Sequence, residues 1–103
     1  MDRIVKWSKN ASKKFSNICS YLEGKWGEQV SKTFIRKTFD LLEILKDYPE
    51  LGTIENKEKQ IRGFVLVKQV SVFYRIKGNT IILLNFYDNR QNPKKKRYSS
   101  KTL

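Results

Sequence analysis

Val70-Ser71-Val72-Phe73-Tyr74-Arg75-Ile76-Lys77-Gly78-Asn79-Thr80-Ile81-Ile82-Leu83-Leu84-Asn85-Phe86-Tyr87 is the stretch whose reading decides the fold. Two runs rich in β-branched and aromatic residues flank a Gly-Asn pair, which predicts a hairpin of two strands, Val70–Lys77 and Thr80–Tyr87. In the first run Val70, Val72, Tyr74 and Ile76 share one face, and Ser71, Phe73, Arg75 and Lys77 share the other. The second run is apolar on both faces, which predicts a strand in the middle of the sheet.

Upstream of the hairpin, Gln60–Val67 reads as another strand, with Gly63 marking a bulge or a close backbone approach. Residues Pro49–Glu58 read as a polar loop. Before it, Phe34, Leu41, Leu45, Val30 and Tyr48 fall on one face of a helix starting near Glu28, and Ile35, Phe39 and Leu42 widen that face. Pro49 ends this helix. A first helix follows Ser8, which suits an N-cap, and carries Ala11, Phe15, Ile18 and Leu22 at spacings of four, three and four. Gly24 is expected to close it, so that Gly24-Lys25-Trp26-Gly27 joins two antiparallel helices. Arg3–Trp7 alternates and reads as the opening strand. The predicted order is β-α-α-β-β-β, an α+β domain with a helical hairpin packed on a mostly antiparallel sheet.

The chain has 103 residues, which suits one domain, and a net charge of +12. Such a charge recruits anionic partners: nucleic acid, an acidic protein segment or an anionic membrane surface. No run is long enough to span a bilayer, and the start, Asp2-Arg3-Ile4-Val5-Lys6, lacks the apolar core of a secretory signal. A cytoplasmic protein is the expectation, and the single Cys19, read as an inert packing residue, agrees with it. There is no histidine, so imidazole bases, Ser-His and Cys-His triads and Cys/His zinc sites are excluded. No cofactor or metal site is expected. No spaced carboxylate pair suits acid/base work. Trp7 and Trp26 flank the helical hairpin and read as core or hinge residues.

The pieces Trp7-Ser8-x-x-Ala11, Ile18-x-x-Tyr21-Leu22, Leu45-x-x-Tyr48-Pro49-x-x-Gly52, Ile61-Arg62, Val72-Phe73-Tyr74-Arg75-Ile76 and Asp88-Asn89-Arg90-Gln91-Asn92-Pro93 occur in that order over nearly the whole chain. Together they resemble the RelE/ParE superfamily of toxins from bacterial type II toxin–antitoxin modules. The closing Arg90-Gln91-Asn92-Pro93 looks closest to the ParE side. The resemblance implies a growth inhibitor whose partners are an acidic antitoxin protein and a target, DNA gyrase in the ParE branch or the ribosome and its messenger RNA in the RelE branch.

RelE-like members cut messenger RNA without a metal, using cationic side chains. That chemistry needs a group to activate the ribose 2′-OH, cations for the charged phosphorane and an acid for the leaving oxygen. The resemblance would give these roles to Arg62 and Arg90, with Lys59 and Tyr98 as substitutes lying out of register. Ser71 stands where the ribonuclease branch has an arginine, and Gln60 where it has a lysine. The constellation is incomplete, so ParE-like inhibition of gyrase leads, with RelE-like cleavage as the alternative. Arg62 and Arg90 can equally be solvated strand ends or ion-pair with Asp88 or Glu58. A second alternative, a non-toxic basic nucleic-acid-binding module, would need an exposed stacking aromatic on the sheet, for which Phe73 is the candidate.

The domain is expected to span residues 1–93, with 94–103 a basic and mobile tail. Lys94, Lys95, Lys96 and Arg97 in that tail, with Arg75 on the sheet, are the residues expected to meet a nucleic acid or protein partner. Removing residues 94–103 is expected to leave the far-UV circular dichroism and melting cooperativity unchanged. If the tail binds phosphates, the log–log salt dependence of nucleic-acid binding becomes shallower by roughly 0.7–0.9 for each phosphate the truncated chain no longer neutralises.

Overall fold

Residues 3–68 and 70–88 are described in the computed structural model. The expectations for Arg90, for Lys94, Lys95, Lys96 and Arg97, and for Tyr98 fall outside the described residues. The elements are β1 (Ile4–Trp7), α1 (Lys9–Trp26), α2 (Glu28–Asp47), β2 (Thr53–Asn56), β3 (Ile61–Val67), β4 (Val70–Lys77) and β5 (Thr80–Asp88). The order β-α-α-β-β-β holds, with one short strand, β2, added inside the segment expected to be a loop. The sheet runs β1-β5-β4-β3-β2. Its β1–β5 pair is parallel and the other pairs are antiparallel. The doubly apolar β5 is therefore an interior strand, although β4 takes the middle.

Ser8 caps α1: its Oγ accepts from the Ala11 N–H at 2.9 Å and donates to the Leu84 carbonyl at 3.1 Å. One hydroxyl thus starts the helix and ties it to β5. Gly24 does not close α1. The helix continues to Trp26, and Gly27 takes the turn at φ 99°, donating to the Glu23 carbonyl at 3.0 Å. Only a residue without a Cβ adopts that φ cheaply, whereas Gly24 sits within a regular helix. Gly27 alone therefore joins the two helices.

Phe34, Thr38, Leu41, Leu42 and Leu45 form the buried stripe of α2. Val30, Phe39 and Tyr48, expected within that stripe, stand 42, 49 and 67% exposed. Thr38 sits in the core because its hydroxyl donates to the Phe34 carbonyl at 2.8 Å. At the far end of α2, the Arg3 guanidinium donates to the Lys46 carbonyl at 2.7 Å, supplying a cation to the negative helix end. Trp7 is half-buried within an aromatic cluster, its ring 5.1 Å from Phe15, 5.5 Å from Phe86 and 6.0 Å from Phe39. That cluster joins β1, β5 and both helices. Trp26, by contrast, is 55% exposed.

Val70, Val72 and Tyr74 point into this core, as the alternation predicts. The Tyr74 hydroxyl accepts from the Gly52 N–H and donates to the Pro49 carbonyl, both at 2.8 Å. A Cβ on Gly52 would lie 2.8 Å from both the Tyr74 hydroxyl and the Gly63 carbonyl oxygen. Glycine is required there by close approach. Gly63 likewise marks a close approach, with Phe73 Cε1 2.8 Å from where its Cβ would stand, while the register shifts fall elsewhere. No described helix is long and apolar enough to cross a membrane.

Burial raises the pKa of the Tyr74 phenol, opposed by the Gly52 hydrogen bond and the Arg62 charge. A folded-state pKa above the unfolded value of about 10 gives stability that is full below that pH and is lost as pH rises above it. Urea melts should therefore show an alkaline loss of stability that is missing in Tyr74→Phe. At neutral pH that variant should be less stable by about 1–3 kcal/mol, because it leaves the Gly52 N–H and the Pro49 carbonyl without their partner.

Candidate functional site

Three of the candidate cations lie among the described residues: Lys59, Arg62 and Arg75. Lys59 is exposed in the turn between β2 and β3, where its backbone N–H donates to Asn56 Oδ1 at 2.9 Å. Gln60 completes that turn at φ 57° and passes its carbonyl to the Ile76 N–H at 3.2 Å. The turn is set by backbone geometry and leaves the Lys59 side chain in solvent.

Arg62 lies opposite Tyr74 in the β3–β4 ladder, so the two share a face. Its Nη1 donates to the Glu50 carbonyl at 3.1 Å and to the Gly52 carbonyl at 2.8 Å. The expected alternatives were a solvated strand end or an ion pair with Asp88 or Glu58, and the structure provides neither. The guanidinium holds the segment between α2 and β2 by its backbone, beside the Tyr74 bonds. Charged donors to carbonyls are the stronger hydrogen bonds of a fold. Arg62 Nε is buried without a partner.

Arg75 is the neighbour of Tyr74 along β4 and so points to the opposite face. It lies between Ile61 of β3 and Ile82 of β5 in register. Its Nε too is buried and unpartnered among the described residues. Arg62 and Arg75 therefore stand on opposite faces and do not converge. Counting across the β1–β5–β4 ladders, Lys6 and Arg75 share a row through Ile82, and Lys77 follows two residues on. The face away from the helices is thus the cationic one.

Phe73 lies on that same outer face but is fully buried, at 0% exposure. It is not available for base stacking, which removes the feature the basic binding-module reading required. Ser71, at the position where the ribonuclease branch has an arginine, is also 0% exposed. Burial raises the Cys19 thiol pKa, partly offset by Ser31, which fits an inert packing residue. Among the described residues no group of three His, Cys, Asp or Glu side chains could hold a metal ion.

A model of the ParE toxin of the type II toxin–antitoxin system parDE matches residues 5–93. The chain belongs to the ParE toxin family. It is similar in structure to the chromosomal ParDE system of P. aeruginosa, with 18% identity over 84% of this chain and 95% of that one at a TM-score of 0.60. A YoeB/ParE toxin from Agrobacterium tumefaciens shares 11% identity over 82 and 96% of the two chains, also at 0.60. The YoeB dimer of Staphylococcus aureus shares 13% over 82 and 94%, at the same TM-score. No curated protein is significantly similar. At these identities the solved structures speak to the fold, while the family match makes the chain a type II toxin and implies an antitoxin partner.

The sequence had marked Gly52 and Tyr74 only as parts of the family pattern. Their joint role, with Arg62, of pinning the α2–β2 segment needed the tertiary contact to be seen. Arg62→Ala should cost about 1–3 kcal/mol in urea unfolding by leaving two carbonyls unpaired. Lys59→Ala should stay within about 0.5 kcal/mol of the parent.

Proposed function

We propose that this toxin arrests growth by binding DNA gyrase in the ParE manner, without catalysis of its own. The observation that carries the reading is the engagement of Arg62. A ribonuclease needs free cations aimed at one scissile phosphate, held within hydrogen-bond reach of the developing charge. Arg62 instead donates to two backbone carbonyls, and Arg75 lies across the sheet from it.

Two further features support the same reading. Ser71 and Gln60 replace the arginine and the lysine of the ribonuclease pattern, and Ser71 is fully buried. The remaining described cation of that set, Lys59, points to solvent from a turn. A binding inhibitor needs a rigid shaped surface and complementary charge, which a packed α+β domain at +12 supplies. Arg90, Tyr98 and the run Lys94–Arg97 remain part of the proposal as target or partner contacts.

Purified toxin added to gyrase and relaxed plasmid should block supercoiling or trap cleaved DNA with no ribosome present. In cells, expression should arrest growth, and co-expression of the acidic antitoxin should relieve the arrest. Supercoiling untouched at saturating toxin, together with new message ends in primer extension that vanish in Arg90→Ala, would replace this reading with RelE-like cleavage.

A further inference from the structure

β3 is paired on its outer side for less than half its length. It runs Ile61–Val67, and β2 takes only Ile61, Arg62 and Gly63. From Phe64 to Val67 the side away from β4 meets no strand among the described residues. At about 3.3 Å per residue this is about 13 Å of edge, offering backbone N–H and C=O groups to another strand. Natural edges are usually blunted by charge, proline or a bulge. Phe64-Val65-Leu66-Val67 contains neither charge nor proline, and its one irregularity is the register shift between Val65 and Val67.

Both sides of this edge are apolar. On the helix side a groove of about 380 Å³ is lined by Leu22, Trp26, Val30, Phe34 and Val67, and Lys68 is its one charged lining residue. Trp26 and Val30 are 55 and 42% exposed. On the other side Leu51, Gly63 and Val65 line a second groove of about 280 Å³, with Glu55 at its far end. A strand laid on the edge would direct alternate side chains into the two grooves.

We infer that the open edge Phe64–Val67 is the docking site for an extended, acidic segment of a partner protein, with apolar residues at alternate positions. The segment adds to β3 as a strand. One apolar row fills the Trp26–Val30–Phe34 groove, and an acidic residue meets Lys68. Charge selects this occupant over a second copy of the chain, because two bodies at +12 repel where an acidic segment is attracted. Taking the partner for the antitoxin rests on the toxin reading above.

The test uses the full-length chain and a synthetic peptide alternating Val or Ile with Asp or Glu. Binding is followed by fluorescence anisotropy and by amide hydrogen exchange. The peptide should bind and slow exchange at Phe64–Val67. The same peptide with a central proline should not bind. Val30→Asp, a change at an exposed position, should weaken binding tenfold or more, and Lys68→Glu severalfold. The inference is overturned if the peptide fails to bind, binds equally well with proline, or protects β1 or the helical hairpin instead. It is equally overturned if the chain alone self-associates and protects the same amides. Growth arrest on expression reads the toxin function separately. Arrest without peptide binding removes this docking site alone, and binding without arrest removes only the toxin reading.

Discussion

The Tyr74 hydroxyl is the contact on which the rest of this surface depends. It is buried in the middle strand of the sheet and bonds both ends of a four-residue segment, Pro49 through its carbonyl and Gly52 through its N–H. A buried phenol is costly without partners, and so are a buried N–H and C=O. Each of the three is satisfied by the others. The arrangement works only if residue 52 lacks a Cβ, since one would press on the hydroxyl and on the Gly63 carbonyl. Arg62 completes it by binding the Glu50 and Gly52 carbonyls from the neighbouring strand. The end of α2, the start of β2 and the β3–β4 ladder are thereby held as one body.

This clamp has a functional consequence. The same arginine that family resemblance would enlist for phosphate chemistry is spent on the backbone. Cations that remain, Lys6, Arg75 and Lys77, gather on the face of the sheet away from the helices. A domain so arranged is built to present a surface, with charge to draw an acidic partner and an open strand edge to receive it. Those properties fit inhibition by binding, and they place less demand on the positions of single side chains than catalysis would.

Much of the fold was legible in the sequence because its signals are local. The Ser8 cap, the four-three-four spacing of Ala11, Phe15, Ile18 and Leu22, and the alternation of Val70, Val72, Tyr74 and Ile76 each follow from the period of one element. Gly24 misled because two glycines lay near the expected helix end, and only Gly27 takes the positive φ. The short strand β2 was missed because Thr53–Asn56 pairs on one side only and carries no apolar run. Val30, Phe39 and Tyr48 fitted the helical period, yet the sheet is too narrow to cover them all.

By itself, then, the sequence determined the order and kind of the elements, the hairpin at Gly78-Asn79, the excess of positive charge and the family. These depend on neighbours a few residues apart and on composition. The tertiary structure alone decided which charges are free and which are engaged. Arg62 finds its acceptors 10 and 12 residues away, and Tyr74 its partners 22 and 25 residues away. No periodicity encodes such contacts. They arise because packing the helical hairpin on the sheet brings the segment after α2 against the face of β3 and β4, where buried polar groups must pair with whatever they meet.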